Sequence, residues 1–258
     1  MAALVRYDAM TDVADSLDAE VRSAEPDLWL ASRLVAKPAP RAALIALYAL
    51  HVELAKVAVA ARNPLAGEIR LAWWREEVQA LFDGSRTLGH PALQALSGVL
   101  QPDRLAILAM IEARHAELEP TPFQDEAALV AYLDGVDGGL MRAAAALLAP
   151  AGGIEVTQTA SAWGWARLLS ERAAWRARGR DWMPAAWGQP SDMELVAHVR
   201  HRVADAIAAA RVETAALPVG AFPAAAYAAL AQPYARGIRP SALGKRARLL
   251  WASLRGRI

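Results

Sequence analysis

Asp8, Asp12 and Asp15 stand at i, i+4 and i+7 in "DAMTDVADSLD". On a helix this spacing puts three carboxylates on one face, enough to hold Mg²⁺ against a diphosphate. The competing reading is a solvated acidic face near a terminus, and the sequence favours it. Other candidate ligands are sparser. His51 and Glu53 lie two apart and point in different directions on a helix, so they share no metal. Glu112 with His115, and His198 with His201, are each three apart. Neither pair has the HExxH form or a third ligand nearby, and both read as solvated helix surface. No Ser-His-Asp grouping sits in a nucleophile elbow, and no Gly-rich phosphate loop follows a strand. The chain has no cysteine, which removes disulfides, thiolate zinc sites and thiol catalysis.

Two clusters of aromatics and arginines have more chemical range. Trp73 and Trp74 precede Arg75, and adjacent residues on a helix project about 100° apart. One of the two rings is expected in the core and the other against a cavity or a neighbouring helix. "WGWARLLSERAAWRARGRDWMP" carries Trp163, Trp165, Trp175 and Trp182 with Arg167, Arg172, Arg176, Arg178 and Arg180. Guanidinium groups suit diphosphate oxygens, and aromatic faces suit an isoprenoid chain or a carbocation. Pattern alone favours a plainer reading, an amphipathic helix with structural tryptophans.

The elements that must position these residues are helices. Alternating β-branched runs are nearly absent, while Pro and Gly cut the chain into helix-length pieces. Breaks are expected at 25–27, 36–40, 62–67, 82–91, 100–103, 118–125, 149–153, 183–192, 217–223 and 237–240. Asp103, Asp125 and Ser191 or Asp192 are the expected caps of the helices that follow them. The 258 residues are 55% hydrophobic and 21% charged, with net charge +1. This is a globular composition with no nucleic-acid signal. The start lacks a basic run followed by a long apolar stretch, so no secretory leader is expected. The most apolar window, Ala42 to Ala61, is broken by His51, Glu53 and Lys56, which argues against a membrane span.

The order of these pieces resembles the squalene/phytoene synthase family, most strongly over 25–190. "PDLWLASRLVAKPAPRAALIALYAL" is similar to its opening helix pair and "GEIRLAWWREEV" to its Trp-rich segment. "LVAYLDGVDGGLMRAAAALL" and "WARLLSERAAWRARGRDWMP" are similar to two later helices. The resemblance implies one all-α domain over 1–258, an isoprenoid-synthase bundle around a central cavity. It further implies two facing Asp-rich segments that hold Mg²⁺ against prenyl diphosphates. Counting on from Leu47-Tyr48-Ala49-Leu50, the first motif's acids fall on Ala55, Lys56 and Val59. Counting back from Arg178-Gly179-Arg180 and Pro184, the second motif's acids fall on Glu171 and Trp175. Most of the metal ligands are therefore replaced.

"LHVELAKV" and "GEIRLAWWR" are closer to a divergent branch that includes a mitochondrial complex I assembly factor. The leading expectation is a pseudoenzyme without a cofactor. It would bind an isoprenoid or lipid, or assist assembly of a respiratory complex. Its binding residues would be His51, Glu53, Trp73, Trp74, Trp163, Arg167, Arg172, Trp175, Arg178 and Arg180. The alternative is an active prenyl transferase that would need Mg²⁺ and acids drawn from Asp134, Asp137, Glu171 and Asp181, with Glu171 the catalytic candidate. A third reading is a scaffold with no ligand. The chain is expected in the cytoplasm, peripheral at the inner face of a membrane. The basic C-terminal segment "KRARLLWASLRGRI" is expected either to lie on anionic lipid or to dock on the bundle, with docking favoured.

Overall fold

Proline and short polar caps set the helix starts. The computed structural model describes residues 2–97, 103–121, 123–150 and 153–258, with side chains from residue 13 on. It is helical, with no strand among the described residues. The order is α1 (Ala2–Ala24), α2 (Pro26–Ser32), α3 (Pro38–Ala60), α4 (Pro64–Asp83), α5 (Pro91–Ser97) and α6 (Arg104–Ala113). Then come α7 (Glu126–Leu133), α8 (Gly139–Leu148), α9 (Thr157–Ala177), α10 (Asp192–Ala216), α11 (Ala231–Ala235) and α12 (Ala242–Arg255). Four of these helices open on Pro26, Pro38, Pro64 and Pro91, where a missing N–H costs nothing. Asp103 accepts from Ala106 N–H at 3.1 Å and Asp125 from Ala128 N–H at 2.8 Å. Ser191, rather than Asp192, caps α10, in a reciprocal capping box with Glu194. The expected breaks at 100–103, 118–125 and 149–153 include residues outside those described.

Two expected helices are modified rather than overturned. The helix from Arg104 tightens into a 3₁₀ segment, Arg114–Leu118. The helix from Glu126 runs on through a π turn, Asp134–Gly138, into α8. Glycine makes that turn fit. A Cβ on Gly139 would come within 2.7 Å of the Ala106 carbonyl oxygen, and one on Gly164 within 2.9 Å of an Asp137 carboxylate oxygen. The π turn therefore lies hard against both α6 and α9.

α3 is the hub, packed by α1, α4, α5 and α8. Residues Ala43 to Leu50 are all buried, as expected of a helix apolar all round. It is long and apolar enough to cross a membrane, yet 72% of its most apolar window is inside the bundle. One hydrophobic cluster extends from Leu17 to Ala252. Tyr48, Tyr227, Phe123, Trp165, Trp175 and Trp182 are among the large side chains that fill it. α9 lies across from α3, backed by α10 and α11. At its start, Glu213 of α10 accepts from the Gln158 and Thr159 N–H groups at 2.9 and 2.8 Å. A neighbouring helix thus caps α9.

Candidate functional site: a cavity between α3 and α9

The stripe His51/Val52, Ala55/Lys56 and Val59 follows helical spacing along α3. The stripe Arg167, Glu171, Ala174/Trp175 and Arg178 does the same along α9 and its C-terminus. The two stripes face each other across a cavity of about 240 Å³. Ala24 and Glu25 close one side, and Arg114, Glu117 and Tyr132 complete the lining.

The polar groups form two clamps. In the first, Arg167 is buried and grips Asp137 with two hydrogen bonds, Nε to Oδ1 at 2.8 Å and Nη2 to Oδ2 at 2.9 Å. Its third nitrogen donates to Glu171, one turn on, at 2.7 Å. The π turn delivers Asp137, which is 1% exposed, to this position. The two carboxylates hold the guanidinium's pKa well above its ordinary value, against the opposing effect of burial.

In the second clamp, Arg114 pairs with Glu117, and Tyr132 donates to the same carboxylate at 2.6 Å. Arg114 also lies 3.4 Å from His51 Nδ1. A guanidinium has only donors, so Nδ1 must accept and the proton of a neutral imidazole sits on Nε2. Burial, with Arg114 and Arg167 nearby, keeps the His51 pKa well below its ordinary value and the ring neutral. Glu25 is the contrasting case. Burial and the negative charge of Glu171 push its carboxyl up to about 8, so it holds a proton at neutral pH.

The residues singled out from the sequence separate into two groups. His51, Arg167, Glu171, Trp175 and Arg178 line the cavity, as do Ala55, Lys56 and Val59. Arg178 lies 5.4 Å from the Trp175 ring, over its face. Glu53, Trp73, Trp74, Trp163, Arg172 and Arg180 do not line it. Glu53 turns to Lys56, at 2.6 Å, and toward His90. Lys56 also pairs with Glu20 of α1. Trp74 is fully buried in the core, and the half-buried Trp73 packs edge-on to it at 4.8 Å. Trp163 packs against Tyr227 and Tyr234. Arg172 pairs with Asp192 on the outer surface, and Arg180 donates to the Ala58 carbonyl at 3.0 Å, tying α9 to α3 from outside.

Glu25, Arg114, Glu117 and Tyr132 line the cavity although no motif in the sequence marks them. Arg114 and Glu117 had a readable signal, because they continue the buried stripe of Ile107, Met110 and Ile111 with charges. Glu25 had none, since it sits at a helix break. His115 binds Glu68, Glu112 binds Arg75, and His198 binds Glu126, so neither spaced pair forms a unit. The Asp8 and Asp12 side chains lie outside the described residues, and Asp15 is exposed.

This arrangement now meets its relatives. Residues 21–251 match the squalene/phytoene synthase family. The chain belongs to that family. Among solved structures it is similar to the squalene synthase HpnC of Alicyclobacillus acidocaldarius, with TM-score 0.66 and 18% identity over 96% of this chain and 95% of that one. It is also similar to a dehydrosqualene synthase solved with a ligand, with TM-score 0.67 and 12% identity over 96% and 98%. At these identities the likeness establishes the all-α isoprenoid-synthase fold. No curated protein matches the chain.

The family's fold implies Mg²⁺, and the donor set here does not fit it. Mg²⁺ needs carboxylates free to enter a near-ideal octahedron. Glu117 is held by Arg114 and Tyr132, Glu171 by Arg167, and Glu25 keeps its proton. Among the described residues, no three His, Asp or Glu side chains are grouped to hold a metal ion. Asp134 pairs with Arg142, and Asp181 lies near Arg176, so neither joins Glu171 in the cavity.

Proposed function

We propose that this family member binds a ligand without condensing prenyl diphosphates. The ligand is isoprenoid or lipid-like, with a single polar end; the alternative non-catalytic role is assembly of a membrane respiratory complex. The observation that carries this reading is the α3 wall. Ala55, Lys56 and Val59 line the cavity at the positions counted for the family's first acidic motif, opposite Trp175 at a position of the second. Without metal charge on the leaving diphosphate, an allylic cation has no low-barrier route. Size points the same way. A cavity of about 240 Å³ is below the roughly 300–1,000 Å³ of ordinary small-molecule sites, and head-to-head condensation needs two prenyl chains together. The lining suits one ligand with a polar head among Arg114, His51 and the Glu25 carboxyl.

The test uses purified protein, Mg²⁺ and labelled farnesyl or geranylgeranyl diphosphate. No release of diphosphate is expected. Turnover that disappears in Glu171→Gln would overturn the reading. In parallel, a long-chain prenol or quinone is expected to raise the melting temperature in proportion to the logarithm of its concentration. A melting temperature indifferent to such lipids would favour a scaffold with no ligand.

A further inference from the structure

The geometry points to a second functional surface, the outer face of α12, built to lie on an anionic phospholipid bilayer. It is independent of whether the cavity is catalytic. The inward side of α12 is modest. Leu249 and Ala252 are buried, and Lys245 reaches Asp27 of α2 at 2.7 Å. The segment therefore docks on the bundle, yet docking leaves its larger apolar residues outside. Leu243, Ala247, Leu250 and Leu254 recur at i, i+4, i+7 and i+11, a single outward stripe with Trp251 at its edge. Leu243 is 76% exposed, Leu250 55%, Trp251 61% and Leu254 82%. A helix stabilised only by its own bundle has no use for this second apolar face.

Charge identifies what covers it. Between residues 242 and 258 there is no acidic side chain and there are five cations. Beside Trp251 lies a basin of about 350 Å³ that gathers Arg211, Arg248, Arg255 and Arg257. None of these four pairs with an acidic side chain among the described residues; Arg211 donates to the Ile258 main-chain oxygen at 3.2 Å. Arg255 sits over the Trp251 ring at 5.6 Å. On the other flank of the stripe, Leu249 and Leu250 join Trp29, Leu30 and Leu34 of the α2 region around a mainly apolar groove of about 260 Å³. Arg33 and Arg246 stand at its edge. An apolar ridge between an arginine basin and an apolar groove matches a lipid interface. Phosphates occupy the basin while Leu and Trp side chains enter the acyl boundary. Arg33 is paired with Asp18, whereas the four arginines of the basin have no acidic side-chain partner among the described residues and are left for phosphates.

The experiment is co-sedimentation of the full chain with phosphatidylcholine vesicles, with and without phosphatidylglycerol. Binding is expected only where phosphatidylglycerol is present and is expected to weaken with salt. Each arginine near the surface contributes about fivefold, so Arg248→Glu with Arg255→Glu is expected to lower the partition coefficient at least about 25-fold. Trp251→Ala with Leu254→Ala is expected to abolish sedimentation while helix content and melting temperature stay at native values, since both residues are exposed. Equal binding to both vesicle types, or none, would overturn the proposal. So would a concentration-dependent dimer that the Trp251/Leu254 variant dissociates, because the stripe would then be an interface between copies of the chain.

Discussion

The two walls of the cavity differ in what they offer a metal ion. The α3 wall presents Ala55, Val59 and Lys56, and Lys56 pairs with Glu20 and Glu53. The α9 wall carries Glu171 and is backed by Asp137, but Arg167 occupies both. One wall lacks ligands, and the other has ligands already in use. Either feature alone would weaken a metal site. Together they leave Glu171 and Asp137 engaged by Arg167 and no free carboxylate opposite them on α3.

The largest effect is expected on the α9 wall. Arg167→Met leaves Asp137 buried and unpaired, and should cost about 3–5 kcal/mol in chemical denaturation. Adding Asp137→Leu should recover most of that loss, because removing both charges leaves none stranded. If the single variant is as stable as native protein, the clamp is not what organises this wall.

A smaller effect separates Glu25 from the paired acids. Its carboxyl titrates at about 8 in the folded protein and near 4.5 when unperturbed. The folded state thus holds the proton more tightly, and stability falls as pH rises from about 4.5 to about 8. Glu25→Gln should remove that slope and be the more stable of the two proteins near pH 9, with little difference near pH 4. Parallel stability curves for the two proteins would place Glu25 in ordinary solvent.

The smallest effect bears directly on the contrast between the walls. Ala55→Asp with Val59→Asp puts two carboxylates at i, i+4 on α3, facing Glu171. The variant should gain about 1 kcal/mol of stability when Mg²⁺ exceeds its dissociation constant a few-fold, while native protein should show no response. A variant that also ignores Mg²⁺ would show that the arginine clamp on α9 is sufficient to exclude the metal.

Some of this was legible in the chain and some was not. The caps at Asp103, Asp125 and Ser191 are local hydrogen bonds within three residues, and sequence spacing finds such contacts. Counting from neighbouring residues singles out Ala55, Lys56, Val59 and Trp175, and helical periodicity carries those positions to the cavity wall. The aromatic–arginine segment reads as one unit in the sequence, and the structure divides it. Arg167, Trp175 and Arg178 turn inward, while Arg172 and Arg180 turn outward to Asp192 and Ala58. A run with a cation at many positions cannot reveal which of them faces a neighbouring helix.

The sequence by itself determined an all-helical chain, its main breaks and the identity of Ala55, Lys56, Val59 and Trp175 at the counted positions. Each of these depends on backbone preference, local capping or residue identity. The tertiary structure decided the clamps. Arg167 meets Asp137 across 30 positions, and Arg114 meets His51 across 63. It also decided that Glu213 of α10 caps α9, and that docking of α12 leaves its larger apolar stripe facing outward. Such contacts join residues far apart in the chain, and only the packing of the helices specifies which groups are brought within hydrogen-bonding distance.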